Sequence, residues 1–153
     1  MSLIICLYLP LVLRYNPRFS LPDLPRDIQD AVPPLTKKEK RAASLFAVPF
    51  FVMVLAIPFI STLAFNGQNA GNVTLHLLFL NAYGILLITN LAELILVDLL
   101  LICTITPKFV VIPGTEGLAG YKDYAHQIKA HLRGAVLMAV LALIMAAIVS
   151  WLK

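Results

Sequence analysis

Three stretches of this sequence run for about a membrane's thickness without a charged residue: 42–65, 74–92 and 134–152. A helix needs about 20 apolar residues to cross the roughly 30 Å hydrocarbon core. In hydrocarbon every backbone N–H and C=O must find a partner within the protein, which leaves a helix as the simplest solution for each stretch. The composition agrees: 60% of the residues are hydrophobic and 13% are charged. A soluble domain carries about 45–50% apolar and about 25% charged residues. So little polar surface excludes an ordinary soluble domain, a disordered tail and a secreted disulfide scaffold. The fold class is therefore all-α, an integral membrane helical bundle with three full transmembrane helices and a short or truncated N-terminal one. It is one membrane domain over 1–153, with spans at about 2–14, 42–65, 74–105 and 134–152.

The first span is the weakest. Residues 2–13 are apolar, but a helix of that length covers only about 18 Å. No basic segment precedes them and no small-residue cleavage pattern follows, unlike a signal peptide. A short span ended by Arg14, a half-inserted segment, and the tail of a span that starts upstream all fit. Residues 15–35 hold Pro17, Pro22, Pro25, Pro33 and Pro34. Proline breaks helix interiors, so this is an ordered or extended surface segment with room for one short helical turn around Arg26–Ala31. Thr36-Lys37-Lys38-Glu39 reads as a capping box that opens the second span. Pro49 and Pro58 inside that span are expected to bend it. Asn66-Gly67 marks a turn over 66–73. The third run continues past Glu93 and Asp98 to Pro107 and is longer than one crossing requires. Its surplus calls for tilt, interfacial placement or a protein partner. A helix starting near Tyr121 is expected to run into the last span.

The formal net charge is +4. The basic residues flank apolar runs, so they set membrane orientation rather than bind nucleic acid. Eleven of the twelve Lys and Arg residues lie in the segments 15–41 and 107–133 or at their edges, and none lies in 66–73. The positive-inside rule then makes the two charged loops (15–41 and 106–133) cytoplasmic, in a multi-pass protein of the cell membrane. The run Lys37, Lys38, Lys40 and Arg41 is suited to anionic lipid head groups. Cys6 and Cys103 lie in apolar runs and behave as small hydrophobes.

Few residues carry chemistry. On an α-helix His76, Tyr83 and Asn90, seven apart, share a face, with Glu93 one turn beyond and Asp98 further round. A charge at the bilayer centre costs about 2.5–3.5 kcal/mol on insertion scales, so such groups face protein or a watery cavity. These five residues form a candidate polar seam within the membrane. A carboxylate near the interface, or hydrogen bonding between helices, accounts for them equally well. His126 and His131 are five apart and do not share a helix face as metal ligands would. They read as part of a solvated interfacial helix. No metal or cofactor motif is present, and no catalytic constellation. Ala135, Ala139, Ala142, Ala146 and Ser150 form a small-residue ridge that lets another helix approach closely.

The loop phrases Tyr15–Pro34 and Pro113–Gly134 resemble marked loop segments of small bacterial membrane proteins, a resemblance that implies no activity. Asn90, Glu93 and Asp98 lack the spacing and the partnering acidic helix of the small membrane lipid kinases. The over-long third run, the alanine ridge and the missing catalytic constellation lead to the expectation of a non-catalytic accessory or assembly subunit. It would pack against other membrane subunits or copies of itself. A small lipid-acting enzyme using Glu93, Asp98 and His126, or an oligomeric transporter using Glu93, are the alternatives.

Overall fold

The computed structural model describes residues 1–152, so Lys153, the one basic residue assigned to the opposite face, lies outside the described residues. The elements in order are α1 (Ser2–Tyr15), a 3₁₀ turn (Pro17–Asp23), α2 (Arg26–Ala31), α3 (Lys37–Gln68) and α4 (Leu75–Glu93). A π-helical stretch (Leu94–Ile105) prolongs α4 without a break, and a second 3₁₀ turn (Ala119–Lys122) leads into α5 (Tyr124–Trp151). There is no strand among the described residues. Three helices, α3, α4 with its extension and α5, are long and apolar enough to cross a membrane, and α1 is a shorter apolar helix beside them.

Local chemistry sets the ends. At α3 the Glu39 N–H donates to Thr36 Oγ1 at 3.2 Å and the Thr36 N–H donates to Glu39 Oε2 at 2.8 Å, which completes the capping box. Asp123 caps α5 by accepting from the His126 N–H at 2.9 Å. The far end of α3 runs further than the turn dipeptide suggests. Asn66 and Gly67 stay helical because the Asn66 side chain is buried and Asn69 Nδ2 reaches back to the Phe65 carbonyl at 2.8 Å. The reversal falls instead at Ala70 and Gly71, both with positive φ. The π-helix stops at Thr106, which takes left-handed backbone (φ 47°) ahead of Pro107.

The two charged loops fold against each other at one end of the bundle. Leu21, Leu24 and Ile28 from one share a core with Val110, Ile112 and Tyr121 from the other. The Gly120 N–H donates to Asp27 Oδ2 at 2.7 Å, and His126 Nε2 lies 2.9 Å from the Asp23 carbonyl. Inside the second loop the Tyr121 hydroxyl accepts from the Ile112 N–H at 2.9 Å and lies 2.7 Å from Thr115 Oγ1. Val97 and Ile102 of the π-helix enter this core. The loops thus cover one face of the surplus residues of the third run, while Ile95, Leu96, Leu100 and Ile105 stay exposed on the other.

Towards the opposite end α4 is the hub on which α1, α3 and α5 pack. Ala142 is fully buried in a cluster with Ala82 and Leu86 of α4, and Ala146 in another with Leu78. Ala135, Ala139 and Ser150 are half-buried. The buried part of the alanine ridge is therefore filled within the chain, by α4. The outer faces of the long helices present Leu45, Phe51, Ile60, Ile88, Val136 and Leu143, as surfaces that meet lipid tails do.

Candidate functional site

The five residues of the polar stripe do not stay together. His76 is exposed near the start of α4. Tyr83 stacks on Phe79 (ring centroids 5.4 Å apart) against the apolar core. Asn90 is buried and Asp98 half-buried, and what joins them is His131 of α5. His131 Nδ1 lies 2.5 Å from Asn90 Oδ1, and Nε2 lies 2.5 Å from Asp98 Oδ2. The Asn90 amide nitrogen donates to the His131 carbonyl at 3.2 Å, which orients the amide with its oxygen towards the ring. Both ring nitrogens then face acceptors, an arrangement that the doubly protonated imidazolium satisfies. The first turns of α5 are largely exposed, as a solvated helix would be, but His131 departs from that expectation by packing on the π-helix through Asp98.

The π-helix explains why Asp98 reaches this ring. On an α-helix, residues eight apart stand about 80° apart around the axis. The wider i→i+5 winding after Glu93 takes more residues per turn and brings Asp98 back beneath Asn90. Single turns of π-helix are common at functional sites.

This clasp forms one side of a half-open cavity of about 440 Å³ lined by α1, the first 3₁₀ turn, α3, α4 with its π-helical extension, and α5. The volume falls in the range of about 300–1,000 Å³ usual for small-molecule sites. Its walls are apolar and aromatic, with Phe19, Phe46 and Phe50 among them. The Tyr8 hydroxyl donates to the Phe46 carbonyl at 2.6 Å and ties α1 to α3 along one wall. The polar lining is Asn90, Glu93, Asp98, Gln127 and His131 from α4 and α5, with Ser20 and Asp23 from the 3₁₀ turn. Asp23 lies outside the membrane segments. Burial raises its pKa above the ordinary carboxylate value, the Asp98 carboxylate adds to this, and His126 opposes both.

Three polar lining groups stand apart. Among the described residues, the carboxylates of Glu93 and Asp23 and the Gln127 amide have no side-chain hydrogen bond in the protein; Asp23 is exposed, Glu93 half-buried and Gln127 only 7% exposed. Their neighbours Asn90, Asp98 and His131 satisfy one another. No group of three or more His, Cys, Asp or Glu residues is placed to hold a metal ion among the described residues. Lys37, Lys38, Lys40 and Arg41 are all exposed on the first turns of α3. Glu39 between them pairs with Arg18 Nε at 2.6 Å.

His131 and Gln127 are the site residues that the sequence reading missed. An acid within an apolar run requires a partner, and His131 is a titratable residue three positions ahead of the last span. That pairing was available as a signal. Comparison with family models, curated proteins and solved structures finds no match for the chain.

Proposed function

We propose that this chain is a membrane-embedded binding protein whose central cavity takes the head of an amphiphilic small molecule from the surrounding bilayer. The observation that carries the reading is the pairing of apolar walls with a half-buried carboxylate, Glu93, that has no hydrogen-bond partner among the described residues, inside one half-open cavity. A carboxylate among apolar walls is poorly solvated, and a ligand that supplies a partner recovers part of that cost.

Two of the three features behind the accessory-subunit expectation are met in part inside the chain: Ala142 and Ala146 of the ridge are buried in its core, and the loops cover Val97 and Ile102 of the long third run. An enzyme acting on lipid is less well supported than binding. Asp98 and His131 are bound to each other, which leaves two carboxylic acids, Glu93 and Asp23, and no free base beside them among the described lining residues. The charged end of the bundle is cytoplasmic in this proposal, in keeping with the distribution of basic residues. Lys37, Lys38, Lys40 and Arg41 there meet anionic lipid head groups, at about 1 kcal/mol each near the surface.

The test is native mass spectrometry of the full chain released from lipid nanodiscs. One small amphiphile per chain is expected on the parent, and none on Ala47→Phe, which fills the cavity from α3. Equal retention by both proteins, or none by the parent at any amphiphile concentration, would refute the reading. A hetero-complex of fixed composition carrying no small molecule would restore the subunit reading.

A further inference from the structure

The cavity's charge is one-sided. Of the lining side chains that can carry charge, three are acids, Asp23, Glu93 and Asp98, and one is a histidine, His131. None of the lining residues is Lys or Arg. The one cationic candidate, His131, is already held by Asp98 and Asn90. A head group bearing phosphate or carboxylate would meet like charge here with no cation to receive it, and like charges in a poorly solvated site repel strongly.

The unpartnered groups narrow the ligand further. An ionised Glu93 carboxylate is an acceptor only, and the Gln127 amide presents a carbonyl oxygen as a second acceptor beside its two N–H donors. Gln127 is almost completely buried and lines the same cavity as Glu93. A group that bears both a positive charge and N–H donors satisfies both, and charge-assisted hydrogen bonds are the stronger kind. Phe19, Phe46 and Phe50 offer apolar surface for a hydrocarbon body.

From this juxtaposition we infer that the ligand is a lipophilic protonated amine without a phosphate, its ammonium hydrogen-bonded to Glu93 and Gln127 and its apolar body against the aromatic wall. The inference rests on the cavity reading above and names the chemical class that the cavity selects.

The experiment uses the full chain in nanodiscs of zwitterionic lipid with three probes of equal chain length: dodecylamine, dodecanol and dodecyltrimethylammonium. Empty nanodiscs set the partition background, and retained ligand per chain is read by native mass spectrometry. The parent is expected to retain dodecylamine at least ten-fold over dodecanol and over the trimethylammonium, which lacks N–H donors. Glu93→Gln is expected to lose the preference for amine while still retaining dodecanol, which shows that the cavity persists. Gln127→Leu is expected to narrow the gap between the amine and the trimethylammonium. Equal retention of amine and alcohol by the parent overturns the assignment of class and leaves the cavity reading standing. An amine preference unchanged in Glu93→Gln overturns the role of Glu93. Retention of none of the three probes refutes the cavity reading itself.

Discussion

His131 and Asp98 are joined across the seam between α4 and α5, Nε2 to Oδ2 at 2.5 Å, with both side chains about five-sixths buried (15% and 16% exposed). The same ring meets Asn90 with its other nitrogen, so one side chain of α5 ties two levels of α4. Removing one partner of such a pair leaves the other buried and unsatisfied, which costs more than the pair itself contributes. His131→Ala is expected to destabilise the bundle by about 2–3 kcal/mol. The same change in an Asp98→Asn background should cost less, because the neutral amide does not demand a cation. Unfolding in nanodiscs followed by a double-mutant cycle measures this coupling. Additive effects would mean that the two side chains lie close without stabilising each other.

Much of the fold was legible in the sequence because its causes are local. The charge-free runs at 42–65 and 134–152, the capping box at Thr36 and the turn of helix at Arg26–Ala31 all follow from residue type and spacing. The candidate site was less legible because its causes are not local. A strict α-helical projection cannot place Asp98 under Asn90, since the change of winding after Glu93 is decided by how α5 and the loops pack on that segment. Nor does spacing within α5 reveal His131, whose partners stand 33 and 41 positions away.

Glu39 makes the start of α3 sensitive to acid. It lies ahead of the apolar stretch 42–65. Its carboxylate accepts first from the Thr36 backbone and hydroxyl and then from Arg18, which hold its pKa down at about 2, against an ordinary 4.5. A depressed folded-state pKa contributes stability that is full above about 4.5 and is lost as the pH falls towards 2. Protection of the Glu39–Arg41 amides, taken relative to intrinsic exchange at each pH, is expected to fall over that window in the parent. In Glu39→Gln it should be lower at neutral pH and nearly constant with pH. Protection that follows pH equally in both proteins would remove Glu39 as the cause.

The topology makes a separate claim. Gly120 and Asp27 share a hydrogen bond, so the two charged loops occupy one side of the bundle, and the turn after α3 lies at the other. If that charged side is cytoplasmic, an impermeant thiol reagent added outside intact cells should label Asn69→Cys and spare Lys38→Cys. The background is the chain with Cys6 and Cys103 replaced by Ala. The reverse pattern would invert the molecule, and labelling at both positions would mean mixed orientation.

The alanine ridge gives the sharpest test of whether α5 packs within the chain or against a partner. Ala142 and Ala146 are fully buried against α4, whereas Ala147, next in sequence, is exposed. Enlarging a side chain in a filled core forces neighbours off their preferred rotamers and costs about 1–3 kcal/mol. Ala142→Leu and Ala146→Leu are each expected to destabilise the isolated chain by that amount. Ala147→Leu, on the outer face, should leave it within about 0.5 kcal/mol of the parent. The measurement is the unfolding midpoint of the single chain in nanodiscs, one copy per disc, so that no partner contributes. If Ala147→Leu instead disrupted a complex isolated from membranes while the single chain was unaffected, a partner helix would lie on the outer face of α5. Should Ala142→Leu and Ala146→Leu leave the isolated chain unchanged, the close α4–α5 contact would be refuted, and with it the cavity wall that the two helices form together.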